Sequence, residues 1–344
     1  MDSENNSELG TRNSEHRQII FYITDNGHKL AERIAGLYPD AELLKFNAKR
    51  FADKWTTSKN IICIMATGIA VRAVAPLLKD KRTDPAVVVL DEKGSFVISL
   101  LSGHIGGANM LAQKISGFLG AQAIITTASD VQGKLALDVW ASGNNLYVED
   151  FERLKGLSAK IVNNRKIKVH SDYPLSTEKM PEEFTIVNSP DQADIIISNG
   201  IMDQDALFLR PKNLFAGIGC NRGTAKEEIK KTLDAILQRE KLSAGSISSV
   251  CTIDLKKDEK GLLEFARDNG LTIEFFSKDD LNNAVFTYNI AESEAVKAAT
   301  GAKAVAEPAA VLGAKKMQSD CAIIVRKEKR GNVTLAIAKA EFTL

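Results

Sequence analysis

The segment SGHIGGAN, residues 102–109, places three glycines around a single histidine. It stands between an apolar run, FVISLL at 96–101, and a helical pattern, MLAQKISGFLG at 110–120. In that helix Leu111, Ile115, Phe118 and Leu119 recur on one face. A glycine-rich turn from strand to helix presents backbone N–H groups and a positive helix end. Ser102, Gly103, Gly106, Gly107 and Asn109 can therefore cradle a carboxylate or phosphate. The same glycines also suit a tight turn that needs φ > 0, with His104 capping the helix.

Two further segments carry chemistry. KDKRTDP, residues 79–85, offers Lys79, Lys81 and Arg82 as cations for a ligand with several anionic groups. Asp80 and Asp84 would orient them or handle protons, although a mixed charge run also fits a solvated loop. ITTASD, residues 125–130, ends a strand in Ser129 and Asp130. A third apolar run, 61–66, ends at Thr67-Gly68 and leads into a helix that contains Arg72.

Alternating strands and helices must position these segments. Residues 19–26 read as a strand followed by a helix over 28–38. The run 61–66 precedes a helix over 69–78 with Thr67 as its N-cap, and 87–90 with 96–101 form a hairpin through 91–94. This pattern predicts a largely parallel sheet with helices on both sides and one antiparallel pair. Thr67-Gly68, Ser102-Gly103 and Ser129-Asp130 then share the carboxyl edge, where such sheets bind ligands.

From 144 to 210 the pattern weakens to a helix at 151–157 and strands near 161–169, 185–188 and 193–199. A second α/β unit starts with a strand at 214–220 that runs into Asn221-Arg222-Gly223, and Thr224 with Glu227 makes a capping-box signature. Strands at 249–255 and 272–276 alternate with helices at 258–270 and 293–301. Glu307-Pro308 opens a last helix with proline at the favoured first position, and 321–327 pairs with 332–338 through a turn at 328–331. The fold class is α/β and multi-domain. N- and C-terminal three-layer units with largely parallel or mixed sheets are joined by a small middle α/β segment. The predicted boundaries are a disordered polar tail at 1–17, an N-terminal domain at 18–143, a middle linker domain at 144–211 and a C-terminal domain at 212–344.

Forty-five basic against forty-four acidic residues give a net charge of +1. That balance removes the general electrostatic case for a nucleic-acid or membrane partner, so an anion site must be local. No apolar run approaches the roughly 20 residues of a membrane span, and the polar N-terminus predicts a cytoplasmic protein. Cys63, Cys220, Cys251 and Cys321 form no CxxC pair and read as free, buried thiols; four dispersed histidines predict no protein-bound metal. GIGCNRG is spaced GxGxxxG rather than as a dinucleotide fingerprint, so its better reading is a turn bringing Gly219, Asn221 and Arg222 to a ligand edge. No Walker A loop or GxSxG elbow occurs.

With these residues in view, the chain resembles the CbiG family of anaerobic cobalamin biosynthesis, the cobalt-precorrin-5A hydrolases. The likeness is strongest over 68–115 and 125–141 and resumes at 217–229, 253–266, 306–312 and 332–338. It implies an enzyme that opens the ring A δ-lactone of a cobalt-corrinoid intermediate and releases the C20 carbon with its methyl group as acetaldehyde. The substrate would bring its own cobalt, so no cofactor is expected; transient contact with pathway methyltransferases is. On this reading His104 is the general base, and the N–H groups around Gly103, Gly106 and Gly107 hold an oxyanion. Asp130 or Asp84 assists proton transfer. Lys79, Lys81, Arg82 and Arg222 clamp carboxylates, with Thr67, Gly68, Arg72, Ser102, Asn109 and Gly219 completing the substrate-binding set. Glu307 is a lower-ranked acid that an N-cap role explains equally well. The competing reading is a non-catalytic tetrapyrrole carrier, which would use the same basic loop without needing His104 or Asp130. A sugar-phosphate or nucleotide enzyme is disfavoured by the missing phosphate motifs.

Overall fold

In the computed structural model the described residues are 17–80, 83–104, 106–127, 133–176 and 180–344. The polar tail therefore lies outside them up to residue 16, as do Lys81, Arg82, Ser129 and Asp130. The chain forms two compact units, one ending at Val139 and the other spanning Trp140–Leu344.

The first unit is built on β1 (Arg17–Tyr22), α1 (Asp25–Ala35), β2 (Glu42–Lys45), α2 (Ala48–Trp55), β3 (Ser58–Ile64) and α3 (Thr67–Val74). It continues through β4 (Ala86–Leu90), β5 (Phe96–Leu101), α4 (Ala108–Leu119) and β6 (Gln122–Ile124), and α5 (Leu137–Gly143) begins at its end. The sheet order is β2-β1-β3-β4-β5-β6. Only β4 and β5 pair antiparallel.

Strand side chains alternate between two faces, and both are covered, which is why the strands read as unbroken apolar runs. On one face Ile20, Ile62, Val88 and Leu90 meet Leu30 and Ile34 of α1 and Leu111 and Ile115 of α4. On the other, Phe21, Ile61, Cys63, Val87 and Val89 meet Phe51 and Trp55 of α2 and Ala70 and Val74 of α3. Four details of the sequence reading are corrected. Ser102-Gly103 do not share an edge with Thr67-Gly68: β5 runs antiparallel to β4, so it ends where β4 begins, beside Asp84, whereas Thr67-Gly68 follow the other ends of β3 and β4. Strand β2 and helix α2 were not anticipated. Thr67 is the first residue of α3 rather than its cap, because the carbonyl of Ala66 already accepts the Ala70 N–H and no side chain caps this end. Phe118 is 48% exposed, lying near the end of α4 with its ring towards Gly36.

In the second unit, β7 (Leu146–Val148), α6 (Phe151–Val162), β8 (Ile167–Ser171), β9 (Phe184–Ile186), β10 (Ile195–Ile197) and β11 (Leu207–Pro211) form a sheet of order β7-β11-β10-β8-β9. Residues 161–162, read as the start of a strand, belong to α6 instead, because Ile161 continues the buried stripe of Leu154 and Leu157. The short strands β7 and β11 were not anticipated. Arg210 on β11 is buried, with its guanidinium donating to the carbonyls of Ser198 and Gly200 and to the Glu149 carboxylate. Glu149 also accepts from the Ser243 hydroxyl.

The second sheet of this unit contains β12 (Leu214–Cys220), α7 (Lys226–Arg239), β13 (Ile247–Ile253), α8 (Lys260–Asp268), β14 (Thr272–Phe276) and α9 (Lys278–Thr287). It ends with α10 (Glu294–Thr300), α11 (Ala306–Met317), β15 (Cys321–Arg330) and β16 (Val333–Ala340), in the strand order β14-β13-β12-β16-β15. A Cβ on Gly217 would sit 1.8 Å from the Ala306 carbonyl oxygen, so glycine is what lets α11 lie directly on β12.

Four expectations are corrected here. Thr224 donates its hydroxyl to the Asn221 carbonyl and makes no capping box; the cap position is Ala225. Pro308 is the third residue of α11, since the helix already begins at Ala306. The last hairpin turns through Gly331-Asn332 alone, because β15 continues to Arg330. Helix α9 was missed, although Ser277 and Asp280 form a reciprocal capping box at its start. Among the described residues no helix is long and apolar enough to cross a membrane.

Candidate active site

The glycine turn leaves β5 with Ser102 in the left-handed region, φ 56°, and enters α4 through Gly107, φ 88°. It is closed by its own backbone: Gly107 N–H donates to His104 O, Ala108 N–H to Ser102 O and Asn109 N–H to Gly103 O, at 2.9–3.1 Å. Two glycines are there because nothing larger fits. A Cβ on Gly106 would lie 2.4 Å from the Ser102 Cβ, and one on Gly103 would lie 2.7 Å from Asn109 Oδ1. Asn109 is buried and does not face a ligand freely. Its Oδ1 accepts from Ser99 Oγ at 2.6 Å and its Nδ2 donates to Thr127 Oγ1 at 3.3 Å, which ties the turn to β5 and to the segment after β6.

The turn carries His104, whose Nδ1 is 3.4 Å from Oδ1 of Asp138. The imidazole is 21% exposed and the carboxylate 11%, so the pair sits at the surface with the acid on its inner side. Burial alone would raise the Asp138 carboxyl, but its hydrogen bond and charge interaction with His104, together with the Val139 N–H, outweigh burial and hold it below the ordinary range. Asp138 lies in the first turn of α5. Sequence reasoning missed it, because an acid at a helix start already has an ordinary explanation in the helix dipole.

Asp84 is 8% exposed, and its carboxylate accepts the Lys79 N–H while its own N–H donates to Asp80 O. The carboxylate contact links Lys79 to Asp84 at the two described ends of KDKRTDP, and the Asp84 carbonyl receives the Ser102 hydroxyl at 3.1 Å, which joins Asp84 to the glycine turn. Lys79 and Arg72 are exposed; Arg72 folds its guanidinium back over Gly68, with Nη1 3.7 Å from where a Cβ there would stand. Thr67 lines a separate crevice of about 570 Å³ with Thr24, Ala66, Asp91 and Ile98. That crevice opens beyond β1 and β3, on either side of the point where the strand order reverses, the usual ligand position in such sheets.

Gly219, Arg222 and Glu307 belong to the other compact unit. Gly219 is near the end of β12. Arg222 is exposed, pairing with Asp258 at 2.5 Å and donating to Leu255 O. Glu307 is buried in the first turn of α11, where Oε1 accepts the Lys327 N–H at 3.2 Å and stands 3.6 Å from the Arg326 guanidinium. All four cysteines are free, but only Cys63 and Cys251 are buried as expected, Cys220 and Cys321 being half-buried; burial pushes the Cys63 and Cys251 thiols up to about 12, which leaves them un-ionised and inert. Among the described residues no group of three or more His, Cys, Asp or Glu is placed to hold a metal ion.

Fold and site together define an α/β protein with an imidazole–carboxylate pair on a glycine turn at the edge of a mixed sheet. Residues 49–130 match the model of the cobalamin synthesis G N-terminal domain, 135–211 that of the cobalamin biosynthesis central region, and 214–338 that of the cobalamin synthesis G C-terminus. The chain belongs to the cobalamin synthesis G family. It is 38% identical to a cobalt-precorrin-5A hydrolase of Priestia megaterium over 81% of this chain and 78% of that protein. It is 31% identical to a cobalt-precorrin-5A hydrolase of Salmonella typhimurium over 85% and 90%. Among solved structures, a cobalamin biosynthesis protein G homolog from Sulfolobus solfataricus aligns over 94% of this chain and 97% of its own at 23% identity, with a TM-score of 0.40.

Proposed function

We propose that the protein is a cobalt-precorrin-5A hydrolase that opens the ring A δ-lactone of its cobalt-corrinoid substrate and releases acetaldehyde. Relatives of that name at 38% and 31% identity support the substrate. The observation that carries the chemistry is the 3.4 Å approach of His104 Nδ1 to Asp138. A carboxylate on Nδ1 favours the tautomer with the proton on that nitrogen, which leaves Nε2 as the acceptor.

His104 Nε2 takes a proton from water as the water oxygen attacks the lactone carbonyl. Collapse breaks the C–O bond, giving a carboxylate and an alkoxide on the carbon that leaves. Breaking the bond from that carbon to the macrocycle then makes acetaldehyde, and the ring carbon takes up a proton. Asp130 or Asp84 is the proposed partner for that second transfer. The N–H groups of Gly103 and Gly106 are the turn's candidates for the oxyanion, since that of Gly107 is bound to His104 O. Lys79, Lys81 and Arg82 clamp substrate carboxylates; Thr67 and Gly68 stand at the opposite edge of the sheet, with Arg72 beside them, and keep only a secondary binding role on this reading. Arg222 and Glu307 keep subsidiary roles on this reading. It also carries with it a cytoplasmic setting, cobalt brought in by the substrate rather than by a resident cofactor, and transient contact with pathway methyltransferases.

The test is anaerobic incubation with cobalt-precorrin-5A and an assay for acetaldehyde. Release supports the hydrolase, whereas tight binding without release turns the reading to a carrier.

A further inference from the structure

The second compact unit holds a cavity of about 250 Å³ that is lined by Gly219 of the expected substrate-binding set but by none of the groups given a step in the chemistry above. It opens at the carboxyl ends of β12 and β13, between Gly219 and Ile253, where parallel strands present ligands in α/β folds. Its walls are Val296 and Ala299 of α10 with Ala304 and Val305 before α11, so most of its surface is hydrocarbon.

Three cations line this apolar space: Lys256, Lys327 and Lys329. Among the described residues no carboxylate lines it. Lys256 is a poor candidate for a stability device. Its side chain is only 10% exposed, paired at 2.9 Å with Glu259, itself 3% exposed, and such burial costs as much desolvation as the pairing returns. Glu259 also accepts the Gly223 N–H, which fixes the pair at the strand end. Lys327 and Lys329 stand two residues apart on β15 and both reach the cavity, although like charges this close repel. Neither makes an ion pair among the described residues, whereas Lys303 and Lys316 of the same unit are paired with Glu292 and Glu274.

We infer that this cavity is a binding site for an alkyl carboxylate, with the hydrocarbon stem against Val296, Ala304 and Val305 and the carboxylate among Lys256, Lys327 and Lys329. Its size fits a short chain or a single arm of a larger molecule, just under the lower end of the roughly 300–1,000 Å³ of pockets that enclose a whole drug-sized ligand. Lysine point charges over an apolar floor suit a compact anionic head on a hydrocarbon stem, and no arginine among the lining residues offers a bidentate fork for phosphate. The ligand is either a free small acid or one carboxylate arm of the macrocycle that the proposed reaction consumes, and the second source alone rests on that reading.

The full-length protein is titrated with hexanoate and with hexanamide by calorimetry or by amide chemical shifts. Hexanoate is expected to bind and hexanamide to bind at least about 10-fold more weakly, on the scale of a charge-assisted hydrogen bond. The double variant Lys327→Ala/Lys329→Ala should lose hexanoate affinity by roughly 10-fold or more. Both lysines are exposed on a strand, so the fold tolerates their loss. Ala299→Phe, which fills the cavity without touching charge, should weaken hexanoate as well. Equal binding of acid and amide, or unchanged affinity in the double variant, overturns the proposal. A raised KM for cobalt-precorrin-5A with unchanged kcat in the double variant identifies the ligand as a substrate arm. Unchanged KM with hexanoate binding lost identifies a free acid. The titrations require no turnover, so they stand or fall apart from the hydrolase reading.

Discussion

His104 and Asp138 face one another across 3.4 Å, the histidine from a glycine turn and the aspartate from the first turn of a helix. The turn holds its backbone by three internal hydrogen bonds, and the aspartate holds the ring. A base so placed needs no rearrangement to accept a proton.

His104→Ala should lower acetaldehyde release by roughly 100-fold or more while binding of the corrinoid is kept, the usual scale for loss of an acid–base group. Release near the wild-type rate would remove His104 as the base. Asp138→Asn should also lower kcat, by about 10-fold or more, through the wrong tautomer, with KM little changed. Asp138→Glu is expected to restore part of it.

Asp138 makes stability depend on pH in a defined direction. Its carboxyl is held below the ordinary value of 3.8, so the unfolded chain binds the proton more tightly than the folded one. The contribution is therefore fully present above that value and is lost as pH falls through the lowered one. In urea titrations the stability gap between wild type and Asp138→Asn should close on acidification below about pH 4. A gap that widened there would contradict the pairing.

Asn109→Ala removes a buried amide that serves Ser99 and Thr127, leaving hydroxyls without their partner. A loss of about 1–3 kcal/mol in unfolding free energy is expected. Because Asn109 also fills the space beside Gly103, the variant should lower turnover beyond what its stability loss explains, read at a temperature where both proteins are folded.

Gly217→Ala should destabilise the second unit by at least about 1–3 kcal/mol, since its Cβ must push α11 off β12. Gly143→Ala, where a Cβ meets nothing within 4 Å, is the matched control and should be near neutral.

The central strands β1, β3 and β4 of the first unit were legible because they are apolar on both faces, and β5 and β6 because turn residues follow them; β2, four residues at the sheet edge with no fully buried side chain, was not. The glycine turn was legible because Gly103, His104, Gly106 and Gly107 are contiguous in sequence. Asp138 was not, since its pairing with His104 depends on how the intervening chain folds. Lys327 and Lys329 were hidden for the opposite reason: within RKEKR they look like a solvated edge, and only the cavity behind them gives the charges a direction. The short strands β7 and β11 are too brief for a period to be counted, although Gly143-Asn144-Asn145 before β7 mark a turn. Thr224 and Pro308 show the limit at helix ends, where a motif fits by spacing but the backbone starts the helix a residue or two away.

Strand β12 is paired on one side by β13 and on the other by β16, and Asn213 beside it reaches Ala340 across 127 positions of sequence. While the chain is being synthesised, the apolar residues Leu214, Phe215 and Ile218 therefore wait with one edge open until residues 333–340 have emerged. That interval is when the nascent protein is most exposed to pairing with the wrong strand, its own or a neighbour's, so yield in a cell should depend on chaperone supply more than on the stability of the finished fold.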